Sequence, residues 1–316
     1  MVDVDIREEV RQFLATRRAR LSPEQAGVQT FGGRRRVPGL RREEVAQLAG
    51  VSTEYFTRLE KGNLRGVSDG VLAAVARALQ LDEIETAHLF DLARAANGPR
   101  ERTSRRPAQQ VVRPSVQRLL DSVTGAAAFL RNGRLDILAT NPLGRALYAP
   151  VLDDPRRPAN LARFIYLTPE RAAAFYRDWE GIALDAVGSL RAEAGRTPDD
   201  PELARLVAEL SLHSEPFRVR WAAHDVRAYR TGIQRFHHPV VGDLDLGFDV
   251  LELVTDPGQF LVAYTAESGS PSAEKLDLLA SWSASVTRET AAPDRRRPPG
   301  PSADGGDTAE SAAAGR

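Results

Sequence analysis

Thr53, Glu54, Thr57 and Arg58 stand at the i, i+3 and i+4 spacings that gather side chains on one helical face. The set holds two hydroxyls, an acceptor-only carboxylate and a forked cation. It matches the edges of base pairs: a carboxylate takes a proton from cytosine N4 and a guanidinium forks onto guanine O6 and N7, each contact worth about 1 to 3 kcal/mol of discrimination. Arg42, Tyr55, Lys61 and Arg65 flank the set as groups able to meet phosphate oxygens, and Arg42 adds its charge to the positive end of the helix it begins. The plainer alternative for Glu54 and Arg58 is a surface ion pair worth a few tenths of a kcal/mol.

Two short amphipathic helices must position these residues. The first begins behind Gly39 and carries Val45 and Leu48 inward, with Ala46 and Ala49 where helices cross closely. Gly50 ends it and Ser52 caps the next, which buries Val51, Phe56 and Leu59 and turns the polar set outward. This is the pattern of a helix-turn-helix whose second helix enters a major groove. A first helix over Asp5–Arg20, a fourth from Asp69 and a fifth capped by Asp82 complete an all-α domain of five helices over 1–98. Between the first two helices, residues 21–40 form a long Arg/Gly/Pro loop, suited equally to a phosphate backbone or to solvent.

The 316 residues suffice for two domains. Basic and acidic residues balance at 43 each, so the argument for nucleic acid rests on the crowding of arginines into the first hundred residues, beside Lys61, and not on net charge. Without cysteine, disulfides and thiol redox chemistry are excluded. The charged N-terminus and the lack of a bilayer-length apolar run predict a soluble, cytoplasmic protein with no membrane partner.

Residues 99–110 read as a linker. Over 111–285 an amphipathic helix leads into a hairpin around Asn132-Gly133. Central helices follow, one of them long over 171–195 and another over 215–229, and then three strands and a last helix capped by Ser270 or Ser272. That order predicts an α+β domain with helices on one face of its sheet. Phe164, Tyr166, Phe175, Trp179, Trp221, Phe236, Phe248 and Tyr264 can line a cavity or simply fill a core. His224-Asp225 and His237-His238 do not make a metal site, since adjacent histidines in a strand point to opposite faces and no cysteine assists. No serine lies in a nucleophile-elbow context, so no catalytic residue is assigned. Residues 286–316, with Arg295–Arg297, have the composition of a disordered tail.

EEVAQLAGVSTEYFTRLEKG resembles the helix-turn-helix of the Xre class of phage-type repressors. The second half is similar to PAS-type sensor domains and, more closely, to the ligand-binding domain of MmyB-like transcription regulators. That likeness is carried by VRPSVQRLLD, NGRLDILATNPLGRALY, DWEGIALDAVGSLRAEAGRTPDDPELARLVAELS, FRVRWAAHDVR, FHHPVVGDL and LVAYTAESGSPSAEKLDLL. The resemblance implies an operator read by Thr53, Glu54, Thr57 and Arg58, and a small hydrophobic, fatty-acid-like effector among the aromatics. Arg218, His224, Arg227 or Asn141 would then meet its carboxylate, the arginines first because they bind bidentately. Asn141 has the competing role of capping the helix at Pro142. A homodimer on two half-sites is the usual means for so small a head to gain specificity. Two departures bear on ligand preference: Arg220 where the family has an apolar residue, and Ile233-Gln234 where it has a more basic pair. Two rival readings are a regulator controlled by a protein partner through an occluded second domain, and an enzyme tethered to a DNA-binding head.

Overall fold

The computed structural model describes residues 6–28, 37, 39–97, 111–226 and 230–291. The Arg34–Arg36 cluster, the linker over 99–110, Arg227 and the tail from 292 onward lie outside the described residues.

The first half is helical: α1 (Ile6–Arg20), α2 (Arg42–Ala49), α3 (Thr53–Glu60), α4 (Asp69–Ala78) and α5 (Glu83–Ala96). Local chemistry sets these boundaries. Gly50 ends α2 in the left-handed region at φ 67°, the Ser52 hydroxyl accepts the Tyr55 N–H at 3.0 Å to start α3, and Asp82 and Glu85 cap α5 reciprocally. Val10, Phe13, Val45, Phe56, Leu59, Leu72, Val75, Leu89 and Leu92 form one core, each such side chain stabilising by about 1.5 to 3 kcal/mol on burial. Gly62 holds this core in register. At φ 85°, a Cβ there would lie 2.4 Å from the Arg7 carbonyl oxygen, so only glycine lets α1 cross the end of α3. Leu48 departs from the sequence expectation: it is exposed, and Ala46 and Ala49 take the helix-crossing positions beside Val45.

The second half opens with α6 (Pro114–Ser122), β1 (Ala127–Asn132) and β2 (Ile137–Thr140). Seven helices follow: α7 (Pro142–Leu147), α8 (Ala149–Leu152), α9 (Leu161–Leu167), α10 (Pro169–Phe175), α11 (Trp179–Arg196), α12 (Pro201–His213) and α13 (Glu215–Ala222). The meander β3 (Thr231–His238), β4 (Gly242–Glu252) and β5 (Gln259–Thr265) and the helix α14 (Pro271–Ala291) close it. The strands form one antiparallel sheet in the order β2-β1-β5-β4-β3. The hairpin, helices and meander appear in the expected order, with four differences of detail.

The long helix expected over 171–195 is two. Tyr176 leaves helical geometry to bridge Phe236 of β3, the Arg177 N–H donates to the Arg235 carbonyl, and Asp178 then caps α11 through the Gly181 N–H. The helix expected over 215–229 stops at Ala222, and His224 lies at φ 53°. Helices cover both sheet faces, because Val116 and Leu120 of α6 pack on Ala128 and Leu130, away from the main core. Finally, α14, with Ser270 as its cap, continues past residue 285 into what the composition assigned to the tail.

A polar seam joins the halves. Arg191 of α11 is fully buried; it donates to Glu9 of α1 and to the Trp221 carbonyl, it lies 2.9 Å from His224 Nδ1, and its guanidinium lies 4.0 Å from the Trp221 ring centre. Arg17 of α1 pairs with Glu85 at 2.6 Å and Asp225 at 3.4 Å. Burial works to raise the Glu9 carboxyl, but the hydrogen bond from His224 and the charge of Arg191 outweigh it and hold it at about 2. Beside this cluster, His88 of α5 has neither ring nitrogen hydrogen-bonded; burial depresses it to about 4 and it stays neutral. A Cβ on Gly195 would stand 2.7 Å from that imidazole, so glycine lets α5 and α11 approach.

Candidate functional site

Two sites follow from this frame. On α3, Thr53, Glu54, Thr57 and Arg58 share one concave face with Lys61 and Asn63, while Phe56 and Leu59 anchor the opposite face in the core. Glu54 and Arg58 do not pair. Arg58 lies instead with its guanidinium 4.7 Å from the Tyr55 ring centre, which leaves its fork and the Glu54 carboxylate directed at solvent.

The four flanking groups differ in their engagements. Arg42 donates to buried Glu60, which also takes Arg18 at 2.7 Å, so Arg42 is fixed at the start of α2 although half its side chain is exposed. Tyr55 is partly buried beneath Arg58, and Lys61 is exposed at the end of α3. Arg65 reaches the Ala96 carbonyl at 3.4 Å and is tied to the end of α5.

The second site lies inside the α+β half, between the sheet and the helices. A cavity of about 100 Å³ is walled by Phe129, Leu135, Tyr148, Ile165, Tyr176, Phe248 and Tyr264, with Arg131, Asp185, Ser189 and Gln234 as its polar members. The Tyr148 and Tyr264 hydroxyls hydrogen-bond to each other at 2.6 Å, and burial raises both, Tyr264 to about 12. Arg131 of β1 lies with its guanidinium 4.7 Å from the Phe260 ring centre and donates to the neighbouring Asn132 carbonyl. Burial lowers its guanidinium to about 10, so it is still a cation at neutral pH. No carboxylate among the described residues lies within ion-pair distance of it.

The cavity brings together few of the residues singled out for a ligand. Tyr264 and Phe248 line it, whereas Phe164, Phe175 and Phe236 are packed in the core behind it. Trp179 and Tyr166 face a separate outer groove beside His213, where Arg220 pairs with Glu180 and lies over the Trp179 ring. Arg218 is exposed and donates to the Ser211 carbonyl. Trp221 and His224 belong to the seam. Asn141 has no capacity to spare: its Oδ1 accepts from Ala128 and Gly144, and its Nδ2 donates to Val123 and Ala126. Of the departing pair, Ile233 faces solvent and Gln234 faces the cavity. His238 is buried against the Ala146 carbonyl, while His237 is exposed beside Asp243, as alternation along a strand requires.

Sequence reasoning passed over Arg131, Tyr148, Tyr176 and Ser189. The available signal for Arg131 was its place in the apolar run AAAFLRN, where a single cation must face either solvent or a site.

Comparison with known families draws the two sites together. Residues 9–89 match a helix-turn-helix domain, and residues 112–279, more than half of the chain, match the MmyB-like transcription regulator ligand binding domain. The chain belongs to the MmyB-like transcription regulators. No curated protein matches it. This MmyB-like regulator therefore pairs a DNA-binding helix-turn-helix with a ligand-binding domain, and among its described residues no helix is long and apolar enough to cross a membrane.

Proposed function

We propose that this regulator binds a near-palindromic operator as a homodimer in the cytoplasm, and that a small amphipathic acid held in the C-terminal cavity changes its operator affinity. Arg131 carries the ligand class: it is a cation on an otherwise largely apolar and aromatic wall, without an ion-pair partner among the described residues. A carboxylate is the group such a fork takes best, and an alkyl tail suits the walls behind it. Thr53, Glu54, Thr57 and Arg58 read bases in this reading, and Arg42, Tyr55, Lys61 and Arg65 meet phosphates. Two half-sites about 34 Å apart would match a two-fold symmetric dimer. A ligand shifts operator binding only as far as it prefers one state of the protein, with couplings typically about 1 to 3 kcal/mol.

A second reading has its own observation. The cavity of about 100 Å³ lies below the roughly 300 to 1,000 Å³ usual for small-molecule sites, which favours control by a protein partner through a closed sensor half. Native mass spectrometry of the full chain separates the two. The expected spectrum shows an added small mass that disappears on denaturation and is absent from Arg131→Met. A bare mass for the unaltered protein would reject the ligand reading in favour of the partner, and the same spectrum gives the subunit count.

A further inference from the structure

The cavity is not isolated. Arg131, Ser189 and Val250 line it on one side and, on the other, a cleft of about 690 Å³ between the two halves of the molecule. The far wall of that cleft is the DNA-binding half itself, through Asp82, Glu83, Ala87 and Asp91 at the start and along one face of α5. The near wall carries Arg131, Arg196, Arg230 and Glu252, with Phe260 beneath. Arg196 is engaged by Glu193 at 2.9 Å and Glu252 at 3.4 Å, which makes Arg131 and Arg230 the cations able to meet an incoming anion.

We infer that the ligand site is bipartite: the apolar tail enters the interior cavity, and the acid head group lies in the interdomain cleft against Arg131, with α5 of the DNA-binding half as the opposite wall. This rests on the ligand reading proposed above and extends it. It accounts for a cavity too small to hold an amphiphile whole, since the larger volume lies directly outside the shared residues. It also supplies a route from ligand to DNA. The bound carboxylate lies opposite the carboxylates of Asp82, Glu83 and Asp91, whose repulsion of a like charge is only partly offset by the positive end of α5. Occupancy therefore works against the closed seam that Arg191 and Glu9 hold from the adjoining side of α11. The effector would press on the DNA-binding half directly, and no relay through the sheet is required.

The test is calorimetric titration of sodium dodecanoate into the full chain and three variants. Ala186 lines the interior cavity and Ala87 is an exposed cleft residue on α5. Ala186→Phe fills the cavity and should abolish binding. Ala87→Trp narrows the cleft and Ala87→Glu adds a like charge; each should weaken dodecanoate at least tenfold although it lies in the DNA-binding half. The exposed position makes Ala87→Glu a safe second variant where the bulkier residue perturbs folding. If the unaltered chain binds, Ala186→Phe does not, and both Ala87 variants bind as the unaltered chain does, the site is confined to the cavity; the bipartite site is then wrong and the ligand reading survives. If the unaltered chain does not bind dodecanoate, the ligand reading fails and takes the bipartite site with it.

Discussion

On the reading face, Thr53, Glu54, Thr57, Arg58, Lys61 and Asn63 project from one short helix and its following turn, while the core contacts that hold the helix sit on its other side. The sensor cavity is assembled the other way: its walls come from positions as distant as Phe129 and Tyr264, and most of the lining residues also serve as core. A side chain on α3 can thus change its base preference without disturbing the fold. A side chain at the cavity or the seam cannot change without disturbing packing or leaving a buried charge. Specificity for DNA and response to an effector are therefore under different structural constraints in one chain.

The largest expected effect tests that contrast at the seam. Arg191→Met leaves Glu9 buried without its cation and should cost about 3 to 5 kcal/mol in urea unfolding, with much of the loss recovered on adding Glu9→Gln. Should the single variant unfold like the unaltered protein, the seam is not a charge-dependent contact. Acid probes the same region. The folded His88 is depressed to about 4 from 6.5 and Glu9 to about 2 from 4.5, so the unfolded chain binds protons first in both cases. Their stabilisation is complete at neutral pH and is lost on acidification, the histidine share, roughly 3 kcal/mol, between pH 6.5 and about 4. Unfolding midpoints of His88→Phe should lose that part of the pH dependence.

On the reading face the effects are smaller and of another kind. Arg58→Ala should keep stability within about 0.5 kcal/mol and lose about 1 to 3 kcal/mol of discrimination at one base pair in a competition assay over operator variants. Equal weakening on every sequence would make Arg58 a phosphate contact. The smallest change is expected for Lys61→Ala: uniformly weaker binding, with the slope of log affinity against log salt reduced by about 1. An unchanged slope would remove Lys61 from the phosphate contacts.

The reading head was legible because its signals are local. A glycine at the left-handed turn, a serine cap and an apolar spacing of three suffice to orient α3, and each lies within a few residues of what it determines. Leu48 was misread because spacing alone cannot tell which of several apolar positions a neighbouring helix covers. In the α+β half the strands and their order were readable, yet the break at Tyr176 was not, since no proline or glycine marks it and its cause is a bridge to Phe236 far along the chain. The ligand candidates suffered for the same reason. Arg218 and His224 have suitable chemistry, but Arg218 stands on the outer face of α13, and the end of that helix at Ala222 turns His224 into the seam. Arg131 reaches the cavity through β1 pairing, a relation that appears only when β5 is brought beside it.

Trp221 is stacked on Phe217 and lies beneath Arg191. The chain holds three tryptophans, and this is the one at the meeting of the two halves. Separation of the halves would take Glu9 from the guanidinium that covers the indole and admit water around both, moving the emission to longer wavelength. With Trp179 and Trp282 replaced by phenylalanine, the protein carries its own optical gauge of domain opening, readable during titration with operator or effector and without an attached dye.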